Sequence, residues 1–294
     1  METLEGLKRK VRSAEDLQSV VRTMKALAAV SIRQYEKAVE SLEHYNRTIL
    51  LGLQVVLGQR PGGGPAQPSR AESLGAVVFG SDQGMCGQLN DQIVAHALDG
   101  MEALGAPREQ RTVLAVGARA AARLEDAGQP VEATFAVPGS IAGITPAVQE
   151  TLLAIQGLNA ERGIERVVLY YCEQLSGAAY EPHTVALLPV DSAWLADLEK
   201  EPWPTHVLPT FTMDWDRLFS SLIREYLFVS LYRAYAESLA SENASRLASM
   251  QGAERNIEDR LRQLKTAFHQ QRQMTITEEL LDIVSGFEAL QERG

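Results

Sequence analysis

Residues 210–285 read TFTMDWDRLFSSLIREYLFVSLYRAYAESLASENASRLASMQGAERNIEDRLRQLKTAFHQQRQMTITEELLDIVS, without a proline and with a single glycine, Gly252. Apolar residues recur at steps of three and four throughout, which predicts one continuous helix. At about 1.5 Å of rise per residue it is roughly 110 Å long, several times the width of a domain this chain could build around it. Its apolar stripe runs through Leu218, Leu222, Val229, Tyr232, Ala236 and Leu239, then Ile257, Leu261, Leu264, Phe268, Ile276, Leu280, Ile283 and Phe287. A stripe of that length needs partners along all of it.

The start of the chain offers one. Residues 7–51 also lack glycine and proline, and a strict heptad passes through Leu4, Leu7, Val11, Ala14, Gln18, Val21, Lys25, Ala28, Ile32, Tyr35, Val39, Leu42, Asn46 and Ile49. Only Gln18, Lys25 and Asn46 on it are polar, so the 3.5-residue repeat predicts a coiled coil. A second stripe, Leu17, Val20, Met24 and Leu27, widens the apolar face and predicts more than one neighbour there. The two terminal helices then pair antiparallel, and the C-terminal one, being longer, keeps an overhang that another protein must cover.

Between them the texture changes. Pro61, Gly62, Gly63, Gly64, Pro65 and Pro68 mark a linker at 59–72. Short apolar runs at 74–79, 112–116, 133–137, 166–171 and 184–188 alternate with helical stretches at 89–104, 118–127 and 145–162, the order of a mainly parallel sheet. From 191 to 209, Trp194, Trp203 and Pro202, Pro204 and Pro209 suggest an irregular return path. The expected fold is α/β: a long antiparallel coiled coil (1–58 with 210–294) and a central, mainly parallel, Rossmann-like domain (73–190).

A formal net charge of −10 argues against a nucleic-acid binder, which needs clustered cations to neutralise phosphates. The segment 8–37 is basic all the same, with Lys8, Arg9, Lys10, Arg12, Arg22, Lys25, Arg33 and Lys37 against Glu15, Asp16 and Glu36, which suits either an acidic partner or a solvated face. Cys86 and Cys172 stand far apart, as in a reducing compartment. No signal peptide or membrane span is apparent, so any membrane association is expected only through a partner.

The stretch Gly80-Ser81-Asp82-Gln83-Gly84-Met85-Cys86-Gly87-Gln88-Leu89-Asn90 follows a strand and precedes a helix, where α/β proteins bind phosphates. It matches neither GxGxxG nor GxxxxGK[ST]. The alternative is a structural turn using Gly84 and Gly87 for backbone conformations other residues resist. Cys86 could act as a nucleophile only beside a histidine, and His96 is the nearest in sequence. No metal-ligand spacing or paired-carboxylate motif is present, and Glu278, Glu279 and Asp282 read as a solvated helix face. Neither cofactor, metal nor catalytic residues are expected.

Three patches, in this order, carry a resemblance. They are Leu7-Lys8-Arg9-Lys10-Val11-Arg12-Ser13 with Met24-Lys25-Ala26-Leu27-Ala28-Ala29; the Ser81–Gly87 turn; and Ala244-Ser245-Arg246-Leu247-Ala248-Ser249-Met250 with Arg272-Gln273-Met274-Thr275-Ile276-Thr277-Glu278-Glu279-Leu280. Together they resemble the gamma subunits of bacterial F-type ATP synthases. The resemblance implies a non-catalytic central stalk that rotates inside a ring of alpha and beta subunits and couples transmembrane ion flow to ATP synthesis or hydrolysis. It also implies an epsilon subunit and a membrane rotor ring as further partners, and a peripheral position on the cytoplasmic face of the membrane.

Carried over by position, Met24, Lys25 and Arg246 would face the catalytic ring, and Gln273, Thr277 and Glu279 would make polar contacts with a catalytic-subunit loop. Departures from the family pattern are Val30-Ser31 after Ala29, Glu15 and Asp16 in the basic segment, Met85 and Gln88 in the turn, and Gln251 where lysine is usual. They reduce the basic charge of the shaft and would mark a divergent second type. The alternative reading of the residues alone is a coiled-coil scaffold carrying an α/β domain.

Overall fold

The computed structural model describes residues 3–59, 73–177, 179–204, 206–207 and 209–291. The expected linker at 59–72 therefore lies outside the described residues from residue 60 onward. In chain order the elements are α1 (Leu4–Leu57), β1 (Leu74–Phe79), α2 (Leu89–Ala103), β2 (Arg111–Val116), α3 (Ala118–Asp126), β3 (Val131–Phe135), α4 (Ile141–Arg162), β4 (Arg166–Ser176), β5 (Ala179–Leu188), α5 (Ser192–Lys200) and α6 (Trp215–Gln291). The chain divides into two compact units, residues 1–27 with 248–294, and residues 28–247.

The smaller unit is a pair of helices. Glu15 pairs with Lys265, Gln18 with Glu258, and Arg22 with Glu254, so partners recede along α6 as α1 advances and the helices run antiparallel. The heptad positions of α1 from Leu4 to Lys25 are all buried or half-buried, with Leu7 deepest, and Met250, Leu261 and Leu264 are buried on α6. Two helices alone cover one stripe each.

The larger unit is built on a five-stranded sheet in the order β3-β2-β1-β4-β5. The first four strands in that order are parallel, and β5 returns antiparallel to β4. β1 is buried along its whole length because both faces of the sheet are covered. Alternate side chains serve opposite sides. Val77 and Phe79 join Ile144 and Val148 of α4 and Leu231, Tyr235 and Leu239 of α6, whereas Ala76 and Val78 join Leu89 and Ile93 of α2 and Leu124 of α3. Phe79 meets Tyr235 edge to face at 4.9 Å, and the Tyr235 hydroxyl is 2.8 Å from the Thr151 hydroxyl, which satisfies both buried groups. A third cluster joins Leu42, Ile49 and Leu53 of α1 to Leu198 of α5 and Val229 of α6.

Several elements differ from the sequence expectation. The last two strands form a long hairpin that extends beyond the expected runs 166–171 and 184–188, because their outer halves are polar and outside any apolar run. The return segment contains α5, whose N-terminus is capped by Asp191 accepting from the Ala193 amide at 2.8 Å. Trp194 on α5 is held against Tyr226, whereas the described residues among 201–210, which include Pro202, Pro204 and Pro209, form no helix or strand. α4 begins at Ile141, earlier than expected, and carries Pro146 in its interior.

Gly117, between β2 and α3, has φ 100, and a Cβ there would lie 2.7 Å from the backbone of Ser81. Gly117→Ala is expected to lower stability by about 2–3 kcal/mol, through a backbone region closed to L-residues together with that clash. A urea unfolding midpoint unchanged from the parent would show that the turn relaxes without cost.

Candidate partner-binding surface

The turn after β1 sits at the carboxyl end of a parallel sheet, yet its polar groups are engaged within the chain. One Asp82 carboxylate oxygen accepts from the Ala118 amide at 2.9 Å and the other from the Val137 amide at 2.8 Å. A carboxylate thus occupies the first turn of α3, where a phosphate would otherwise be attracted. The Asn90 side chain accepts from the Ser81 amide and donates to the Ser81 hydroxyl. Helix α6 closes the same end of the sheet, where the Ser245 hydroxyl donates to the Cys86 carbonyl at 2.5 Å and the Ser241 hydroxyl to the Cys172 carbonyl at 2.9 Å. Ala240 and Ala244 beside them are fully buried, and small side chains are what permit so close an approach.

Of the two glycines expected to shape this turn, Gly87 is left-handed at φ 57, but Gly84 is not, and a Cβ on Gly84 would meet nothing within 4 Å. The second left-handed residue is Met85, at φ 64. Cys86 is buried with its thiol 3.4 Å from the Asn90 amide nitrogen, and His96 is engaged elsewhere, 2.7 Å from the Thr184 hydroxyl. The structure therefore does not bring Cys86 and His96 together as a catalytic pair; each is satisfied by other neighbours.

Arg246 is held by Glu242 one helical turn earlier, their side chains only 14% and 7% exposed. Both line a cleft of about 260 Å³ with Tyr35, Asp82, Gln83 and Pro138. Burial raises the Glu242 carboxyl above the usual carboxylate range, while the guanidinium opposes that shift, and carboxylate oxygen Oε2 has no hydrogen-bond partner among the described residues. Sequence reasoning named Arg246 and missed Glu242, although an acid four residues before a base on one helix is a readable pair.

In the smaller unit, Lys25 contacts Glu254, which also receives Arg22, and hydrogen bonding to both cations holds the Glu254 carboxyl below its ordinary pKa. Glu258 takes a further bond from Arg22. Met24 is half-buried, while its stripe-mates Leu17, Val20 and Leu27 are 58%, 55% and 63% exposed. On α6, Gln273, Thr277 and Glu279 are exposed, and the Thr277 hydroxyl donates to the Gln273 carbonyl at 2.9 Å. Around them Met274, Ile276, Leu280, Leu281, Ile283 and Val284 are exposed as well, all within one stretch of eleven residues.

A sheet whose ligand-binding end is closed by its own helix, and a helix pair with bare apolar flanks, define a structural subunit made to be enclosed by other chains. The chain belongs to the ATP synthase family, whose sequence model matches residues 3–290. It is 26% identical to the ATP synthase gamma chain of Nostoc punctiforme, over 99% of this chain and 100% of that one, and 28% identical to that of a Synechococcus species, over 99% of each. Its fold is similar to a chain of the Euglena gracilis mitochondrial ATP synthase rotor, with a TM-score of 0.63 and 16% identity, covering 93% of this chain and 98% of that one. A chain from the central stalk and c-ring structure of the Tetrahymena thermophila enzyme gives a TM-score of 0.55 and 21% identity, covering 80% of this chain and 99% of that one.

Proposed function

We propose that this chain is the non-catalytic gamma subunit of a bacterial F-type ATP synthase, the central stalk that turns within the alpha and beta subunits and couples transmembrane ion flow to ATP synthesis or hydrolysis. The observation that carries this reading is the exposed stripe Leu17, Val20 and Leu27 on a helix already locked to its neighbour by ion pairs. An apolar flank on a rigid helix pair suits a smooth collar, against which a shaft slides without fixed ionic contacts. The similarity to gamma chains over the whole length supports it.

In this reading residues 1–58 and 210–294 form the shaft, 73–190 the domain that meets the epsilon subunit and the membrane rotor ring, and 191–209 the connection. Met24 touches the collar at the edge of the apolar stripe. Gln273, Thr277 and Glu279 make the polar contacts with a catalytic-subunit loop, and Lys25 and Arg246 reach the ring only by sharing their cations with Glu254 and Glu242. Among the described residues no helix is long and apolar enough to cross a membrane. In this reading the subunit is peripheral, on the cytoplasmic face, and held there by its partners in the complex.

Co-expression with the alpha and beta subunits is expected to yield a complex holding one copy of this chain per three catalytic subunits, measured by native mass spectrometry. Recovery of the chain alone, with the catalytic subunits assembling in its absence, would overturn the assignment.

A further inference from the structure

Glu237 is an acid in the interior of the larger unit. It lies on α6, its side chain 12% exposed, and its Oε2 is buried with no hydrogen-bond partner among the described residues. Strand β4 presents to it the Tyr171 hydroxyl and the Glu173 carboxylate, and α6 itself presents Arg233, whose Nε stands 3.9 Å from Oε1. From β5, His183 Nδ1 lies 3.5 Å from a Glu173 oxygen, and the His183 ring packs on Tyr171 at 5.3 Å. Glu173 and His183 are about two-fifths exposed, so protons reach the cluster without unfolding it.

We propose that Glu237 is a proton-controlled latch between α6 and the β4–β5 hairpin, closed when its carboxyl is neutral and loosened when it ionises beside Glu173. The neutral form carries its own donor and brings no charge into the buried site, where Arg233 and the Tyr171 hydroxyl favour the anion but burial and Glu173 outweigh them. The anion faces a second carboxylate across the hairpin contact, and Arg233 at 3.9 Å is too distant to form a good hydrogen bond with it. Burial first, and Glu173 second, push the Glu237 carboxyl up to about 7. A folded pKa above the unfolded value means that the closed state binds the extra proton. The latch is therefore firm below the ordinary carboxylate range, weakens as pH rises, and is fully released above about 7.

Hydrogen exchange of the full chain, corrected for the intrinsic pH dependence of exchange, tests this on peptides covering 168–186. Opening of the hairpin is expected to rise about tenfold from pH 6 to pH 8, and to change less than twofold in Glu237→Gln, which keeps the neutral shape. His183→Gln is expected to retain the tenfold rise. A flat profile in the parent overturns the latch, as does a Glu237→Gln chain that keeps the rise or a His183→Gln chain that loses it. If Glu237→Gln fails to fold, a carboxyl ¹³C titration of the parent decides, since Glu237 titrating in the ordinary carboxylate range refutes the proposal.

Discussion

Arg246→Ala is expected to cost the larger unit about 3–5 kcal/mol, because it strips the counterion from a carboxylate that is 7% exposed. Glu242 already has its pKa raised by burial, and without the guanidinium it can escape the penalty only by taking up a proton. The loss is therefore larger at pH 8 than at pH 5. A second substitution, Glu242→Gln, in the same chain is expected to recover most of it, since no buried charge then remains. Urea unfolding of the four chains of the cycle at both pH values measures the coupling. A single variant within about 1 kcal/mol of the parent would mean that the Arg246–Glu242 pair contributes little to the stability of the chain.

Leu17→Glu, Val20→Glu and Leu27→Glu combined are expected to leave the chain folded and to abolish its place in the complex. The three side chains are more than half exposed, and glutamate favours a helix, so the stability change should stay within about 1 kcal/mol. If a partner covers them, each contributes about 1–2 kcal/mol of apolar burial, and losing all three weakens assembly by a hundredfold or more before any cost of burying the new charges. Native mass spectrometry with the alpha and beta subunits reads the result. Normal assembly with normal coupling would show that this face meets only water.

The sequence was most legible where one period governs many residues. All fourteen heptad positions of α1, from Leu4 to Ile49, are buried or half-buried, because a seam along a helix is a purely local pattern. The second stripe was equally plain as a pattern, and its exposure gives it meaning, for an apolar row that the chain itself leaves uncovered points to a neighbour. The parallel core strands showed as apolar runs because both faces of the sheet are covered. The hairpin β4–β5 and helix α5 were harder, since half of each faces solvent and the Asp191 cap is a single-residue signal.

The candidate site was legible only in part. Lys25 and Arg246 could be named from a motif, and Glu242 was readable four residues before Arg246 though it was missed, but Glu254 emerges only once α6 lies against α1. Gly84 was credited with a conformation that Met85 adopts instead, since a side chain at φ 64 is tolerated where the rest of the turn over-determines it. The roles of Ser241 and Ser245 depend on contacts with residues 69 and 159 positions away, beyond any local rule.

Those two serines also fix how stiff the domain's joint with α6 can be. They sit four residues apart on one face of α6 and grip two carbonyls, one of Cys172 within β4 and one of Cys86 in the turn after β1, with the buried Ala244 between them in sequence. Long side chains at such a seam would bend before they transmitted a twist, whereas hydroxyls on a single carbon leave almost no slack. Any torsion applied along that stretch of helix passes to the sheet with little lost as elastic lag, in the manner of a splined joint.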